Sequence, residues 1–382
     1  MRSTLSKLAT GAAVAALALS AGACGKTTDQ PATPSAAGDQ AGIARAQAVL
    51  DQYKAKPAFV APGEPFDATC AKGKTMVSIP NTSANPFVKG IIDRMTIAGK
   101  EVGFNVVEWQ NQGQPNQWVQ GVESAIRTKA DAIDLPSGID PSTIEPQIKA
   151  AKAAGIKVMT SHFYDPSQAQ NPALSSSLTV SFATAGKILA DWATVNTGGK
   201  ANILLIVSDE VPPTAPMVKG LKDELAANCP QCKVVQEVNV GVTEWSTKIQ
   251  PSVQTALIAN GDINVIIPIY DSMSQFVIPA VKLTGKSGKV KIGTFNGTPF
   301  VLDEIRRGNV DMDIGESVDW IAYATLDGHI RDLCGLPSPK ALNVPFYIFD
   351  KSNVAEAGDP ADYAKGYGDA YITGFRKLWK LP

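Results

Sequence analysis

The chain has 382 residues, a length that suits two ordinary domains with tails. Hydrophobic residues make up 44% and charged residues 19%, which supports a sizeable core and argues against global disorder. The 35 basic and 36 acidic residues give a net charge of −1, so no basic excess points to a nucleic-acid partner.

The first 24 residues have the pattern of an export signal. Arg2 and Lys7 form a basic start, and the apolar run over residues 8–19 is too short for a permanent membrane span. Small residues then precede Cys24, as in bacterial lipoprotein signals, although those prefer leucine at the position of Ala21. The sequence predicts an exported protein held at the extracytoplasmic membrane face by a lipid on Cys24. An ordinary secretory signal with an incidental cysteine is the alternative.

Residues 25–69 are predicted to be a flexible spacer that contains one short helix. The spacer begins with Thr, Gln, Pro, Ser, Ala and Gly, a composition typical of flexible linkers. The helix is predicted over residues 42–55, and three prolines between positions 57 and 65 end it before the folded body begins near Cys70.

From Lys74 onward, short apolar runs alternate with amphipathic stretches that have helical spacing, which is typical of a parallel sheet covered by helices. The sequence predicts two α/β lobes, each doubly wound, rather than one barrel, because the runs form two series of four or five. The break between the series falls at residues 165–178, where prolines and a serine triplet interrupt the pattern. The predicted strands lie at residues 75–79, 105–108, 132–135, 157–160, 202–207, 234–238, 265–268, 291–294 and 310–314.

A ligand site in such sheets lies beyond the carboxyl ends of the strands. The residues that follow the predicted strands are rich in aromatic rings, amides and hydroxyls and include no Lys or Arg. A pocket for an anion usually recruits Arg or Lys, so this composition favours a small neutral solute such as a sugar. Each residue also has a purely structural interpretation, as a core ring or a helix cap.

Four cysteines remain after Cys24, and export permits disulfides between them. Cys229 and Cys232 form a C-x-x-C between a predicted helix and the next strand, which favours a local structural disulfide over redox or metal chemistry. With only two histidines in the chain, no metal and no cofactor is predicted.

Three motifs carry a family resemblance: SANPF at 83–87, the passage AKAAGIKV that ends at Val158, and FNGTP at 295–299. In this order and spacing, the chain from about Gly73 to Asp350 resembles the type I periplasmic sugar-binding proteins, the ribose-binding-protein-like class. The resemblance implies two Rossmann-like lobes joined by a three-crossover hinge. Residues 73–178 and 317–343 would form the first lobe, and residues 181–315 and 344–382 the second. It also places Cys334 back in the first lobe, which implies a Cys70–Cys334 disulfide.

The resemblance also implies a set of contact residues in a cleft between the lobes. Three positions depart from the family pattern: His162 replaces an aspartate that an arginine follows, Met217 replaces a second-lobe arginine, and Tyr270 replaces an asparagine. These changes leave the solute's identity open. The predicted cleft residues are Asn85, Phe87, His162, Trp245, Tyr270, Asp271, Asn296 and Glu316.

The function that the resemblance implies is that of an extracytoplasmic receptor, a monomer that captures a sugar or polyol by hinge closure and hands it to an ABC permease. A cationic or aromatic solute, and a signalling partner instead of a permease, are the alternatives. An enzyme is not predicted, because the chain lacks G-x-S-x-G, P-loop and G-x-G-x-x-G motifs. The export signal and the missing helix-turn-helix header argue against a sugar-binding repressor.

Overall fold

The computed structural model describes residues 35–382, with side chains from Gln40 onward. The predicted export signal, Cys24 and the beginning of the spacer lie outside the described residues. The described strands are β1 Thr75–Ser78, β2 Asn105–Glu108, β3 Ala132–Pro136, β4 Lys157–Ser161, β5 Ser176–Leu178, β6 Asn202–Val207, β7 Lys233–Asn239, β8 Val265–Pro268, β9 Lys291–Asn296, β10 Met312–Glu316 and β11 Phe346–Asp350.

The α-helices of the described residues alternate with these strands. They are α1 Ser35–Gln52, α2 Pro86–Gly99, α3 Pro115–Arg127, α4 Glu145–Ala153, α5 Phe182–Asn196, α6 Thr214–Asn228, α7 Trp245–Ala259, α8 Ser274–Leu283, α9 Pro299–Arg307, α10 Val318–Leu333 and α11 Ala370–Leu378. No helix among them is both long enough and apolar enough to cross a bilayer.

The strands form two sheets, one for each lobe. The first sheet is parallel throughout, with the order β2-β1-β3-β4-β5. The second has the order β11-β10-β9-β8-β6-β7 and is parallel except for β11, which pairs antiparallel with β10. The predicted fold class, two α/β lobes with parallel sheets, is therefore confirmed. Strand β5 was not predicted, because a run of three serines at 175–177 is more typical of a loop than of a strand.

Alternate side chains of the first sheet enter two separate cores. Met76, Ala132 and Met159 pack toward α2 and α10, whereas the neighbours Val77 and Ile133 pack toward α3 and α4. This period of two follows from the pleat of a strand, and it explains why the strands are apolar on both faces.

Helices α5 and α6 of the second lobe pack very closely, and two glycines make this possible. A Cβ on Gly186 would lie 2.0 Å from the carbonyl oxygen of Met217, and a Cβ on Gly220 would lie 2.2 Å from that of Ala183. Met217, which replaces the family's second-lobe arginine, is completely buried in this contact and does not reach the cleft.

The N-terminal segment is a correction to the predicted spacer. Helix α1 packs on α5 and α6 of the second lobe and buries Ala46 and Leu50. The chain then crosses to the first lobe, where Phe59 packs against Trp320. The prediction of a flexible spacer is wrong for α1 and for Phe66 and Ala68, because apolar residues there bury against the lobes, whereas Val60 between them stays exposed.

The C-terminal segment departs from the predicted lobe division as well. Strand β11 joins the second sheet, but α11 packs on α10, which itself covers the first sheet. Tyr371 stacks on Trp320, and Phe375 stacks on Tyr323. The predicted assignment of residues 344–382 to the second lobe is therefore wrong for α11, because its aromatic side chains bury against the first lobe.

The four cysteines of the described residues form two disulfides. Cys70 bonds to Cys334 at a Cα separation of 5.7 Å, which joins the turn before β1 to the end of α10. Cys229 bonds to Cys232 at a Cα separation of 5.3 Å, in the connection from α6 to β7.

Candidate ligand-binding site

A cavity lies between the two lobes, at the carboxyl ends of their strands. It contains about 460 Å³ of empty space, including its opening. Both lobes supply its walls. The lining residues are Asn81, Asn85, Phe87, Val88, Ser137, Gly138, His162, Phe182, Val211, Pro213, Val242, Trp245, Tyr270, Ser272 and Asn296.

Most of the predicted cleft residues meet in this cavity. Asn85, Phe87, His162, Trp245, Tyr270 and Asn296 line it, whereas Asp271 and Glu316 do not. Both carboxylates are completely buried behind the lining, so the prediction that all eight side chains converge on the cleft needs correcting for these two.

Asn85 and Phe87 are positioned by the start of α2. The side-chain oxygen of Asn85 accepts hydrogen bonds from the backbone N–H groups of Phe87 and Val88, at 3.0 and 3.3 Å. This N-cap, followed by Pro86 in the first turn, fixes the side chain at the cavity edge. Its Nδ2 group has no hydrogen-bond partner among the described residues and is available to a ligand.

His162 lies at the boundary between the lobes and contacts both. Its Nε2 is 2.6 Å from Glu316 Oε2, and its Nδ1 is 3.0 Å from Ser137 Oγ. The ring also lies between Phe87 and Phe182, with ring centroids 5.0 and 5.2 Å away. Because both ring nitrogens already have partners in the protein, His162 offers a ligand its ring surface rather than a hydrogen bond.

Trp245 and Tyr270 form an aromatic pair in the second-lobe wall. Their rings stack with centroids 6.4 Å apart and an interplanar angle of 24°. Trp245 Nε1 donates to Ser208 Oγ at 2.8 Å, and the Tyr270 hydroxyl is 2.8 Å from Thr214 Oγ1. Since these polar atoms are satisfied within the lobe, the cavity meets mainly ring surface. Burial also raises the pKa of the Tyr270 hydroxyl, so this group stays protonated.

Asp271, Asp313 and Glu316 form an acidic layer directly behind the second-lobe lining. Asp271 accepts the backbone N–H of Thr298 at 2.6 Å, and Asp313 accepts that of Gly297 at 3.1 Å. These bonds turn the carboxylates away from the cavity and hold the loop that presents Asn296. Burial raises the pKa of Asp271 to about 6. Burial, together with the charge of Asp271, raises the pKa of Asp313 well above its usual range.

The sequence analysis missed part of the lining, and most of what it missed is apolar. Phe182 begins α5 directly after the unpredicted strand β5. Val211 and Pro213 lie in the loop after β6, and Val242 lies in the loop after β7. The available signal was their position, since each follows a strand end by a few residues. The remaining lining residues outside the predicted set are Asn81, Val88, Ser137, Gly138 and Ser272.

A second cavity, with about 920 Å³ of empty space, adjoins the first at its mouth and shares Asn81, Gly138, Val211 and Val242 with it. Near this mouth the lobes are held together by Gln168, whose Nε2 donates to the carbonyl oxygen of Pro212 at 3.0 Å. This hydrogen bond and the contact between His162 and Glu316 describe a closed arrangement of the lobes.

The inner lining consists of uncharged side chains and one histidine, His162. Within the part of the chain that the structure describes, no Lys, Arg, Asp or Glu side chain lines the inner cavity. The same residues contain no group of three or more His, Cys, Asp or Glu side chains arranged to hold a metal ion.

Comparison with known proteins agrees with this architecture. Residues 76–328 match the family model described as periplasmic binding protein domain. A D-apiose import binding protein from Paraburkholderia graminis is 26% identical over 249 residues, which cover 64% of this chain and 77% of the relative. A second protein of that name, from Actinobacillus succinogenes, is 25% identical over 227 residues, covering 59% and 70%.

Solved structures share the fold at lower identity. The Caulobacter myo-inositol binding protein bound to myo-inositol superposes with a TM-score of 0.66 at 19% identity, covering 75% of this chain and 96% of its own. An ABC transporter solute-binding protein from Agrobacterium vitis with bound allitol gives 0.67 at 20%, covering 76% and 99%. A Yersinia enterocolitica sugar ABC transporter protein gives 0.69 at 19%, covering 85% and 99%. The chain therefore belongs to the periplasmic binding protein family, and it is a solute-binding protein rather than an enzyme.

Proposed function

We propose that this protein is the extracytoplasmic receptor of an ABC importer for a small neutral solute, a sugar or a polyol. The observation that carries the proposal is the inner cavity, which is enclosed by both lobes and lined by rings and amides without a Lys, Arg, Asp or Glu side chain. Both D-apiose import proteins support it by name, as do the neighbours bound to myo-inositol and allitol.

The lining suits the chemistry of a sugar. A pyranose or cyclitol has C–H faces that pack on aromatic rings, and Phe87, Trp245 and Tyr270 supply such surfaces. Its hydroxyls need donors and acceptors, which the amides of Asn85 and Asn296 supply. An anion would find no cationic partner here, and leaving its charge unpaired on burial is costly.

A cationic solute, the alternative that the sequence left open, has less support from the geometry. That alternative depended on carboxylates at the cleft surface. Asp271 is bonded to Thr298, and Glu316 is bonded to His162, both outside the lining. A cation in the cavity would therefore lack a direct carboxylate contact.

Capture would proceed by closure of the lobes. A solute that contacts both walls stabilises the closed arrangement by its greater affinity for that arrangement than for the open one. We further propose that the protein acts as a monomer, that it delivers the solute to permease subunits, and that a lipid on Cys24 retains it at the membrane. Substitution Cys24→Ala should release it into the soluble fraction, and unchanged membrane retention would contradict the anchor.

A thermal-shift screen tests the receptor function. A ligand that binds only the native state raises the apparent melting temperature. Neutral probes, namely D-apiose, D-allose, myo-inositol and allitol, should include at least one that raises it, whereas quaternary amines should not. Calorimetry then measures the affinity. A rise with the quaternary amines alone would contradict the proposed solute class.

A further inference from the structure

The part of the second-lobe wall nearest the cavity mouth is aliphatic. It consists of Val211, Pro213 and Val242, which we call the aliphatic wall. Val211 and Val242 also line the outer cavity, so the wall stands where the two cavities join. None of its side chains contains a polar atom.

The backbone of the aliphatic wall is also satisfied within the protein. The Val242 N–H donates to Glu210 Oε1 at 2.7 Å, the Val211 N–H donates to the Ser208 carbonyl at 3.0 Å, and proline has no N–H. The three carbonyl oxygens accept from the N–H groups of Trp245, Thr214 and Met217. No free donor therefore remains on this wall for a ligand hydroxyl.

The polar side-chain atoms that remain free belong to three asparagines of the lining, of which Asn81 also lines the outer cavity, like Val211 and Val242, whereas Asn85 and Asn296 line only the inner cavity. Asn81 and Asn85 use their side-chain oxygens on the backbone N–H groups of Thr82 and Phe87, at 2.8 and 3.0 Å, so both present an Nδ2 group. Both belong to the first lobe. Asn296 of the second lobe has no side-chain hydrogen bond among the described residues, and the cavity reaches it.

From this asymmetry we infer that the solute is amphipathic: an uncharged sugar or polyol with hydroxyls along one edge and an apolar group, such as a methyl or thioether, at the other. The hydroxyls meet the amides of Asn85 and Asn296, which line only the inner cavity, and the apolar group lies against the aliphatic wall. The inference rests on the proposed function and narrows its solute class to deoxy and alkylthio sugars.

The aliphatic wall favours an apolar group over a hydroxyl, because the two groups lose and gain different interactions there. A hydroxyl placed against Val211, Pro213 and Val242 gives up its bonds to water on the side that faces the wall and gains none from the wall in return. A methyl or methylthio group at the same point gains apolar burial instead. Together these two effects should make the affinity about tenfold higher for a sugar that carries the apolar group than for its hydroxylated counterpart. This is the scale on which apolar pockets discriminate one methylene.

Calorimetry on the full-length protein with three matched pairs tests the inference. The pairs are L-fucose with L-galactose, L-rhamnose with L-mannose, and 5-methylthio-D-ribose with D-ribose. In at least one pair the apolar member should bind about tenfold more tightly. Val211→Thr and Val242→Thr keep the side-chain shape but add a hydroxyl, and each should reduce that ratio at least about threefold. Val235→Thr, on half-buried β7 and outside both cavities, is the control and should leave the ratio unchanged.

The outcomes separate this inference from the proposed function. If the hydroxylated members bind as tightly as the apolar ones or more tightly, the inference is overturned and the sugar receptor stands. If the apolar members bind more tightly but the two threonine variants behave like the Val235→Thr control, the apolar group does not lie against the aliphatic wall. If no member of any pair binds, the inference is overturned, and the proposed function is decided separately by the thermal-shift screen with apiose, allose, myo-inositol and allitol.

Discussion

The two lobes bury carboxylates in opposite ways. In the first lobe, Asp134 on the central strand β3 lies 3.0 Å from Ser161 Oγ and 3.3 Å from His329 Nε2. In the second lobe, Asp271 and Asp313 are equally buried, but Asp313 Oδ1 has no partner among the described residues. The first lobe therefore gives its buried carboxyl group hydrogen-bond partners, whereas in the second lobe the charge of Asp271 raises the cost of ionising Asp313.

The lobes also differ in their disulfides. The first-lobe bridge joins Cys70 to Cys334 across 264 residues, whereas the second-lobe bridge joins Cys229 to Cys232 across only 3. The first-lobe bridge thus fixes together two distant segments of the chain, whereas the second-lobe bridge closes only a local turn. We therefore expect the free energy of unfolding to depend on the disulfide in the first lobe and, through the buried carboxyl groups, on pH in the second.

The largest expected effect is the loss of the first-lobe disulfide. By loop-closure entropy, Cys70→Ala with Cys334→Ala should lower the free energy of unfolding by about 5–6 kcal/mol. The matched pair Cys229→Ala with Cys232→Ala closes a minimal loop and should cost about 2 kcal/mol. Denaturant unfolding of both double variants measures the difference. Equal losses would contradict the contrast between the lobes.

The second effect concerns the acidic layer and pH. Asp271 has a pKa of about 6 in the folded protein against 3.8 for an ordinary aspartate, so the folded state binds a proton that the unfolded chain releases. Stability from this group is therefore complete below about pH 4 and is lost as pH rises through 6, by roughly 3 kcal/mol. Asp313, whose pKa is also raised, adds to the loss in the same direction.

Substitution Asp271→Asn keeps an oxygen for the Thr298 N–H and removes the charge, so it should flatten this part of the pH dependence. Denaturant midpoints at pH 4.5, 6 and 7.5 compare it with wild type and with Asp262→Asn, an exposed control in the same lobe. If the stability of Asp271→Asn falls with rising pH as steeply as that of Asp262→Asn, Asp271 is not the source of the pH dependence.

The third effect sharpens the comparison at the cavity itself. Trp245→Ala removes the second-lobe ring and should weaken solute binding by roughly 1–3 kcal/mol, the scale for burying a large apolar side chain. Trp118→Ala removes a ring that lines only the outer cavity and should cost less. Calorimetry on both variants, with folding checked by circular dichroism, decides between them. Wild-type affinity in Trp245→Ala would remove this ring from the site.

The smallest effect tests the contact that joins the lobes at the mouth. Gln168→Ala deletes the hydrogen bond to the Pro212 carbonyl and should destabilise the closed arrangement by about 1 kcal/mol, about a fivefold loss in affinity. Gln120→Ala, an exposed glutamine on α3, serves as the control. Faster solute dissociation in the first variant alone is the expected result. Identical rates would mean that Gln168 does not hold the closed form.

The sequence predicted the location of the cavity better than its walls. Polar residues after parallel strands must gather at one sheet edge, which is why Asn85, His162 and Asn296 were found. Val211 and Val242 were not, because an apolar residue in a loop cannot be distinguished from core by its type. Asp271 was misplaced for the converse reason. A carboxylate after a strand is a typical ligand contact, but this one accepts a hydrogen bond from the backbone N–H of Thr298 instead.

Contacts between segments far apart in the chain were also beyond prediction. Helix α1 was expected as a short helix in a spacer, and α11 was expected to accompany β11. Both assignments follow sequence proximity, whereas the observed packing of α1 on α5 and of Tyr371 on Trp320 depends on surfaces that only the folded lobes create.

The central claim is that the inner cavity binds a neutral solute and excludes anions. It is tested most directly by calorimetric titration of the full-length protein with neutral sugars and their acidic counterparts, namely galactose with galacturonate and ribose with ribose 5-phosphate. The lining lacks Lys and Arg, and the acidic layer lies just behind it, so any binding should be confined to the neutral member of each pair. Binding of galacturonate or ribose 5-phosphate as tight as that of the neutral sugar, or tighter, would contradict the account.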